Sequence, residues 1–366
     1  MNLKPTIAGL DLPNADQSSK LYRILASVMK QHLERSPVAP RCQLSNRHPY
    51  SSPARPSNRL HSPFSSSPQS TARRFTDSKG IILPGSQQDL LLDCSSDSAE
   101  PDIPLCDAYW NASYFGLDRV RLFRDATAEE QRQILSLTNL NVMQESYCIE
   151  KAGMGYMSRM VLLAETVQER MIYTLFAADE TSHFVQLYPF LPVEPTSSDN
   201  PFLQLLSEVV EGDDKAVLLF VIQIVLEGWG LSHYRALAKD CTHNALAQTL
   251  QSFLQDESRH HGTGVTLFNQ TTLSSTSHAT IVEILAQFLR MVQVGPIGVV
   301  EAIARVKGHL SRAQKIQILT ELDTQQHSGT RLQVLRSFMR GDGAEAIVQD
   351  LEARGSFNPL PAHQCV

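Results

Sequence analysis

Apolar residues recur at the spacing of one helix face through most of the chain after residue 128, and the folded part reads as helix from end to end. A first helix carries Ile134, Leu137, Leu140, Met143, Tyr147, Met154 and Met157 behind Asp125 or Thr127 as its cap. It stops near residue 164, because Thr166 and Glu169 form a Thr-x-x-Glu capping box that opens a second helix, running to about Leu187. Pro189, Pro192 and Pro195 end that helix and supply a crossover. A third helix is predicted over 201–238, a turn at 240–244, and a fourth helix through His261. After Gly262-Thr263-Gly264 helical spacing resumes at 281–292, 296–310, 313–322 and 330–339, and a short last helix follows at 344–351. These read as accessory helices, within about 278–353, packed on a core of about 128–262.

Residues 1–103 have a different make-up. Leu21, Ile24, Leu25, Val28, Met29 and Leu33 lie at helical spacing, so 19–34 is expected to form a short amphipathic helix that docks on the main domain. From 35 to 76 there are seven arginines and no acidic residue, amid many Ser and Pro. Such a stretch cannot bury enough apolar surface to offset chain entropy and is predicted to be disordered. Its make-up is akin to an organelle transit peptide, but Asp11 and Asp16 precede it. The folded domain is therefore expected at 104–366, with Tyr109, Trp110, Tyr114 and Phe115 as a docking segment.

Composition narrows the setting. Of 366 residues 42% are hydrophobic and 19% charged, ordinary values for a globular chain that can bury a sizeable core. A net charge of −6 gives no basic field to recruit nucleic acid or an acidic membrane surface. The six cysteines lie far apart with no C-x-x-C, which fits a reducing cytoplasm and argues against a disulfide framework or a zinc ribbon. The start of the chain lacks a secretory pattern. The longest apolar run, 216–226, is interrupted by Gln223 and too short to span a bilayer, so no membrane span is expected.

One short pattern occurs twice on these helices: Asp179-Glu180-Thr181-Ser182-His183 and Asp256-Glu257-Ser258-Arg259-His260. On a helix, positions three apart share a face, so each Glu-x-x-His can aim a carboxylate oxygen and an imidazole nitrogen at one point. A lone glutamate stands 30 residues before each copy, Glu150 before Glu180 and Glu227 before Glu257. Glu150 and Glu180 are equidistant from the turn at residue 165, at about 22 Å along their helices at 1.5 Å per residue, so the hairpin makes them neighbours. Glu227 and Glu257 are related in the same way about residue 242. Glu145, five residues before Glu150, competes as the first ligand; hairpin symmetry favours Glu150. Glu227 ends a run that is apolar on every face, and a buried carboxylate needs a partner, because an unpaired buried charge costs several kcal/mol. Two metal ions supply that partner for both hairpins.

In this double motif the chain resembles the ferritin-like non-haem di-iron carboxylate oxygenases, in which one Glu from each of two helices and a Glu-x-x-His from each of the other two project into a four-helix bundle. The resemblance implies an all-α fold: a ferritin-like four-helix bundle with additional C-terminal helices and a largely disordered N-terminal region. It implies two iron ions, or iron with manganese, held by Glu150, Glu180, His183, Glu227, Glu257 and His260. It further implies that Asp179 orients His260 and Asp256 orients His183 across the bundle. Arg259 matches the family's Asp-Glu-x-Arg-His pattern, Ser182 departs from it, and His261 is expected beside the site.

Several activities share these ligands. Leu187 stands where the radical-generating subunit of ribonucleotide reductase has a tyrosine, Phe253 where arylamine N-oxygenases carry an extra histidine, and no C-x-x-C supports a rubrerythrin-type iron. The expectation is an oxygenase that uses O₂ and an external electron donor to hydroxylate or N-oxygenate an apolar, aromatic or carrier-tethered small molecule, and that is compatible with a homodimer. Tyr147, Met154, Phe176, Ala177, Gly230 and Phe253, each within about a turn of a ligand, are expected to line its pocket. The alternatives are an acyl desaturase-like di-iron oxidase and a non-catalytic metal-binding scaffold.

Overall fold

The computed structural model describes residues 20–35, 108–192, 200–341 and 343–366. The region expected to be disordered, beyond Arg35, lies outside the described residues, as does the expected boundary at 103/104. Among the described residues the fold is all-helical, with no strand.

Helix α1 (Lys20–Arg35) is followed, after the undescribed stretch, by a 3₁₀ turn (Leu117–Arg119) and a single turn of helix, α2 (Arg121–Arg124). The 36-residue α3 (Ala128–Leu163) opens with a full capping box between Thr127 and Glu130. It ends where Ala164 turns extended, at φ −62° and ψ 128°. Helix α4 (Val167–Leu187) folds back along it. Its cap differs in detail from the expected box: Thr166 accepts from Glu169 N, but the Glu169 carboxylate accepts from Glu165 N at 3.0 Å.

The predicted third helix is divided. Helix α5 (Pro201–Val210) stops at Glu211, and after Gly212 and Asp213 the Asp214 carboxylate caps α6 (Lys215–Leu218) by accepting from Ala216 N and Val217 N. α6 leads without a break into a π-helical run, Leu219–Leu226, and then into α7 (Glu227–Asp240). Of the apolar window within Lys215–Asp240, 67% is buried inside the protein, so its length and apolarity are those of a core helix.

Helix α8 (Asn244–Phe268) pairs with α7 and packs on α4. It runs past Gly262 and Gly264, the residues expected to end it. Gly264 is required there by a close approach: a Cβ would meet the Gln223 side chain at 2.7 Å. The C-terminal helices are α9 (Ser275–Val294), α10 (Ile297–Lys307), α11 (Arg312–Glu321), α12 (Thr324–Phe338) and α13 (Glu345–Ala353). α9 lies against α5 and α6, α10 against α3, and α12 against α7.

The aromatic docking segment is anchored by Trp110, which is fully buried, donates from its indole N–H to Leu237 O at 2.9 Å, and is bracketed by the Asn139 side chain. Helix α1 lies against α4 and α8 in the same compact unit as the core. Its Leu25 and Val28 are 1% and 0% exposed. At about 1.5–3 kcal/mol per fully buried aliphatic side chain, that seat supplies what a 16-residue helix lacks in isolation.

Candidate metal centre

Both hairpins deliver their carboxylates and imidazoles to one buried place. α3 contributes Glu150, α4 Glu180 and His183, the first residue of α7 Glu227, and α8 Glu257 and His260. Their donor atoms form two quartets, each with all atoms within 4.8 Å of one another: Glu150, Glu180, His183 and Glu257, and Glu180, Glu227, Glu257 and His260. Glu180 and Glu257 belong to both. Glu257 divides its oxygens between the histidines, Oε1 at 3.4 Å from His183 Nδ1 and Oε2 at 3.9 Å from His260 Nδ1. His183 Nδ1 also lies 3.2 Å from Glu150 Oε2, and His260 Nδ1 lies 3.0 Å from Glu180 Oε1.

The far nitrogen of each ring meets an aspartate from the opposite hairpin. His183 Nε2 is 3.2 Å from Asp256 Oδ2, and His260 Nε2 is 3.5 Å from Asp179 Oδ2. Arg259 bridges the two aspartates. Each Nδ1 therefore faces the carboxylate cluster while the Nε2 is held from behind, the arrangement that fixes the ring of a metal-bound histidine.

Burial and like charge together make the cluster short of positive charge. Desolvation and the neighbouring Glu257 and Glu150 carboxylates push Glu180 up to about 8, against the pull of His260. Glu227 is raised well above its ordinary range by burial and by Glu257. Glu257 is lowered: its own burial is outweighed by the hydrogen bonds from Glu227 and His183 and by both imidazoles. Burial disfavours charge on His183 and His260, yet the surrounding carboxylates outweigh it and raise both, so each ring is drawn toward the imidazolium. Glu180 Oε1 and His260 Nδ1 stand 3.0 Å apart as a buried ion-pair contact off hydrogen-bond alignment. Two buried polar atoms that face each other out of hydrogen-bond alignment fit donors aimed at a shared cation. Four carboxylates and two imidazoles, oxygen and nitrogen donors, match two divalent metal ions in charge and ligand type.

A cavity with about 690 Å³ of free space, counted to its open mouth, reaches these carboxylates between α3, α5 and the Lys215–Asp240 helix. Its wall is apolar, with Ile149, Ala152, Leu206, Ile222 and Leu226 among the lining residues. Two polar side chains away from the cluster, Glu145 and His233, also line it. Burial raises the carboxyl of Glu145 and lowers the imidazole of His233 to about 4, so both are driven toward their uncharged forms.

Of the six residues expected to line a pocket, Gly230 lines this cavity. The other five do not. Phe176 packs on the His260 ring and Phe253 stacks on the His183 ring at 4.1 Å, so both wall the imidazoles. Tyr147 packs on Phe184 and Tyr188, while Met154 and Ala177 are half-buried away from the cavity. Nearness to a ligand along a helix does not fix the face, and the open space lies toward α5 rather than between α4 and α8. Glu145 is in the cavity wall and Glu150 is in the cluster. Glu145→Ala is accordingly expected to leave metal uptake unchanged and Glu150→Ala to weaken it, as measured by elemental analysis of the purified variants.

Several participants carry no motif. The Tyr234 hydroxyl donates to Glu150 Oε1; Tyr234 stands seven residues after Glu227, so helical spacing could have placed it near the site. The Tyr156 and Tyr173 hydroxyls both donate to Gln223 Oε1 at 2.7 Å, and Gln223 Nε2 donates to His260 O at 2.7 Å. His261 Nδ1 lies 3.3 Å from the Gln223 carbonyl, outside both quartets. No family model, no curated protein and no solved structure matches the chain significantly.

Proposed function

We propose that the protein is a ferritin-like di-iron oxygenase whose two hairpins form the four-helix bundle of that family. The observation that carries the reading is the pair of overlapping quartets that share Glu180 and Glu257. In this reading Glu150, Glu180, His183 and Glu257 would hold one ion, and Glu180, Glu227, Glu257 and His260 would hold the other. Iron, or iron with manganese, would supply the redox equivalents that activate O₂.

The chain's own residues do the rest. Asp179 and Asp256 hold the imidazoles with their Nδ1 atoms toward the ions, and Phe176 and Phe253 keep water from the rings. The apolar cavity carries a substrate to the carboxylate cluster and, with its polar groups driven neutral, favours an aliphatic chain, an aromatic ring or the end of a carrier-tethered group. An external electron donor is the partner proposed, and the reducing cytoplasm the setting.

The test is anaerobic loading with ferrous iron followed by exposure to O₂. Uptake of about two ions per chain with O₂ consumption and a transient visible absorption is expected. Iron binding without O₂ consumption would favour a metal-binding scaffold, and a single stoichiometric zinc would sink the reading. Gly230 has nothing within 4 Å of where a Cβ would stand, so Gly230→Leu is expected to fill the cavity. Measured by substrate-dependent O₂ uptake and elemental analysis, it should lower turnover and leave iron content unchanged.

A further inference from the structure

The aspartates behind the two imidazoles are also reached from α1, more than a hundred residues away in sequence. Gln31 Nε2 donates to Asp256 Oδ1 at 2.8 Å, and His32 Nε2 lies 3.2 Å from Asp179 Oδ1. Neighbouring residues on a helix point about 100° apart, so this pair diverges to α8 and α4 from a helix that lies against both. Val28 and Leu25 precede His32 by four and seven residues, on its own face, and their burial seats the helix at this depth. The nitrogen groups that face each aspartate include His183, Arg259 and Gln31 for Asp256, and His260, Arg259 and His32 for Asp179.

We infer that Gln31 and His32 are positioning residues of the metal centre, acting through Asp256 and Asp179 to set the orientation of His183 and His260. A carboxylate can turn about its own bonds, and each partner fixed on a separate helix restricts that freedom. The cavity approaches the carboxylates from the side of α3, α5 and α7, whereas α1 closes the side of α4 and α8. Gln31 by a hydrogen bond and His32 by an ion-pair contact thereby place α1 against the aspartates behind the centre. The inference rests on the metal reading above.

The test uses the full chain and cobalt(II) as the probe, with affinity from competition against a fluorescent chelator and geometry from the visible ligand-field bands. The variants are Gln31→Ala/His32→Ala, each single alanine, His32→Gln, which keeps an N–H donor, and Ser27→Ala, on an exposed position of α1, as control. Partners of metal-bound histidines are worth about 10–100-fold in affinity, and one step further out a loss of about 3–10-fold with shifted bands is expected for the double variant. His32→Gln should recover most of the His32→Ala loss, and Ser27→Ala should match the wild type. If the double variant does not fold, the single variants carry the same readouts. A helix that merely packs would lower the melting temperature of the metal-free protein and leave the cobalt spectrum unchanged, which overturns the inference. Wild-type protein that binds two cobalt ions, with variants equal to it in affinity and bands, overturns the inference alone; wild-type protein that binds none removes the metal reading with it.

Discussion

Glu257→Ala is expected to leave the purified protein with essentially no bound iron, while Glu227→Ala keeps about half of the wild-type content. The difference follows from sharing: Glu257 belongs to both quartets and Glu227 to one. The same substitution separates a functional cluster from a structural one. In metal-free protein burial and like charge push Glu180 and Glu227 toward their uncharged forms, while Glu257 is held charged against both imidazoles, so removing Glu257 relieves desolvation but also costs those ion pairs. Metal-free Glu257→Ala should therefore melt somewhat lower than metal-free wild type, because the Glu257 anion faces both imidazoles. Only the wild type should gain on adding metal, by about 4 kcal/mol when free metal exceeds its dissociation constant a thousandfold. Elemental analysis and calorimetry of both forms read the two halves of the prediction. A variant that still gains as much stability as the wild type on adding metal would show that Glu257 is not shared between two metal sites.

The second large effect comes from a single methyl group. A Cβ on Gly153 would stand 2.3 Å from Glu180 Oε2 and 2.9 Å from its Cδ, inside van der Waals contact. Gly153→Ala must therefore displace a carboxylate shared by both quartets, while an alanine at mid-helix favours α3 by about 1 kcal/mol. Helix content should hold or rise while metal affinity falls by about 100-fold or more. Gly230→Ala, which meets nothing within 4 Å, is the control. Wild-type metal affinity in Gly153→Ala would mean that the Glu180 carboxylate does not sit where it has been described.

The hairpins and the pairing of Glu150 with Glu180 were legible because turn chemistry is local: Thr127 and Thr166 cap where the sequence places caps, and equal distances from a turn put residues at equal height. Direction around the helix was less legible. Phe176 and Phe253 lie near ligands and were expected to line the pocket, but one face of α4 or α8 cannot be told from another where both are apolar. Gly264 reads as a stop because glycine usually ends helices, whereas here it admits Gln223. Gln31 and His32 carried no signal, since polar residues at the edge of an amphipathic stripe look solvated until the partner helix is known. The division of the third helix lay in Gly212-Asp213-Asp214, a local cap and breaker that the strength of the apolar pattern on both sides concealed.

The π-helical run from Leu219 to Leu226 is apolar on every face except at Gln223. A rod that is greasy all round loses little by turning about its own axis, so hydrophobic burial sets its depth and leaves its rotation nearly degenerate. Polar contacts break that degeneracy: Gln223 against His260 O and the two tyrosines, and Glu227 in the carboxylate cluster. Each turn of a π-helix takes in an extra residue through i→i+5 bonds, so the helix type adopted by this run sets the direction in which Glu227 points. For Leu219–Leu226 these polar contacts thus act as the register mark that the apolar core itself does not provide.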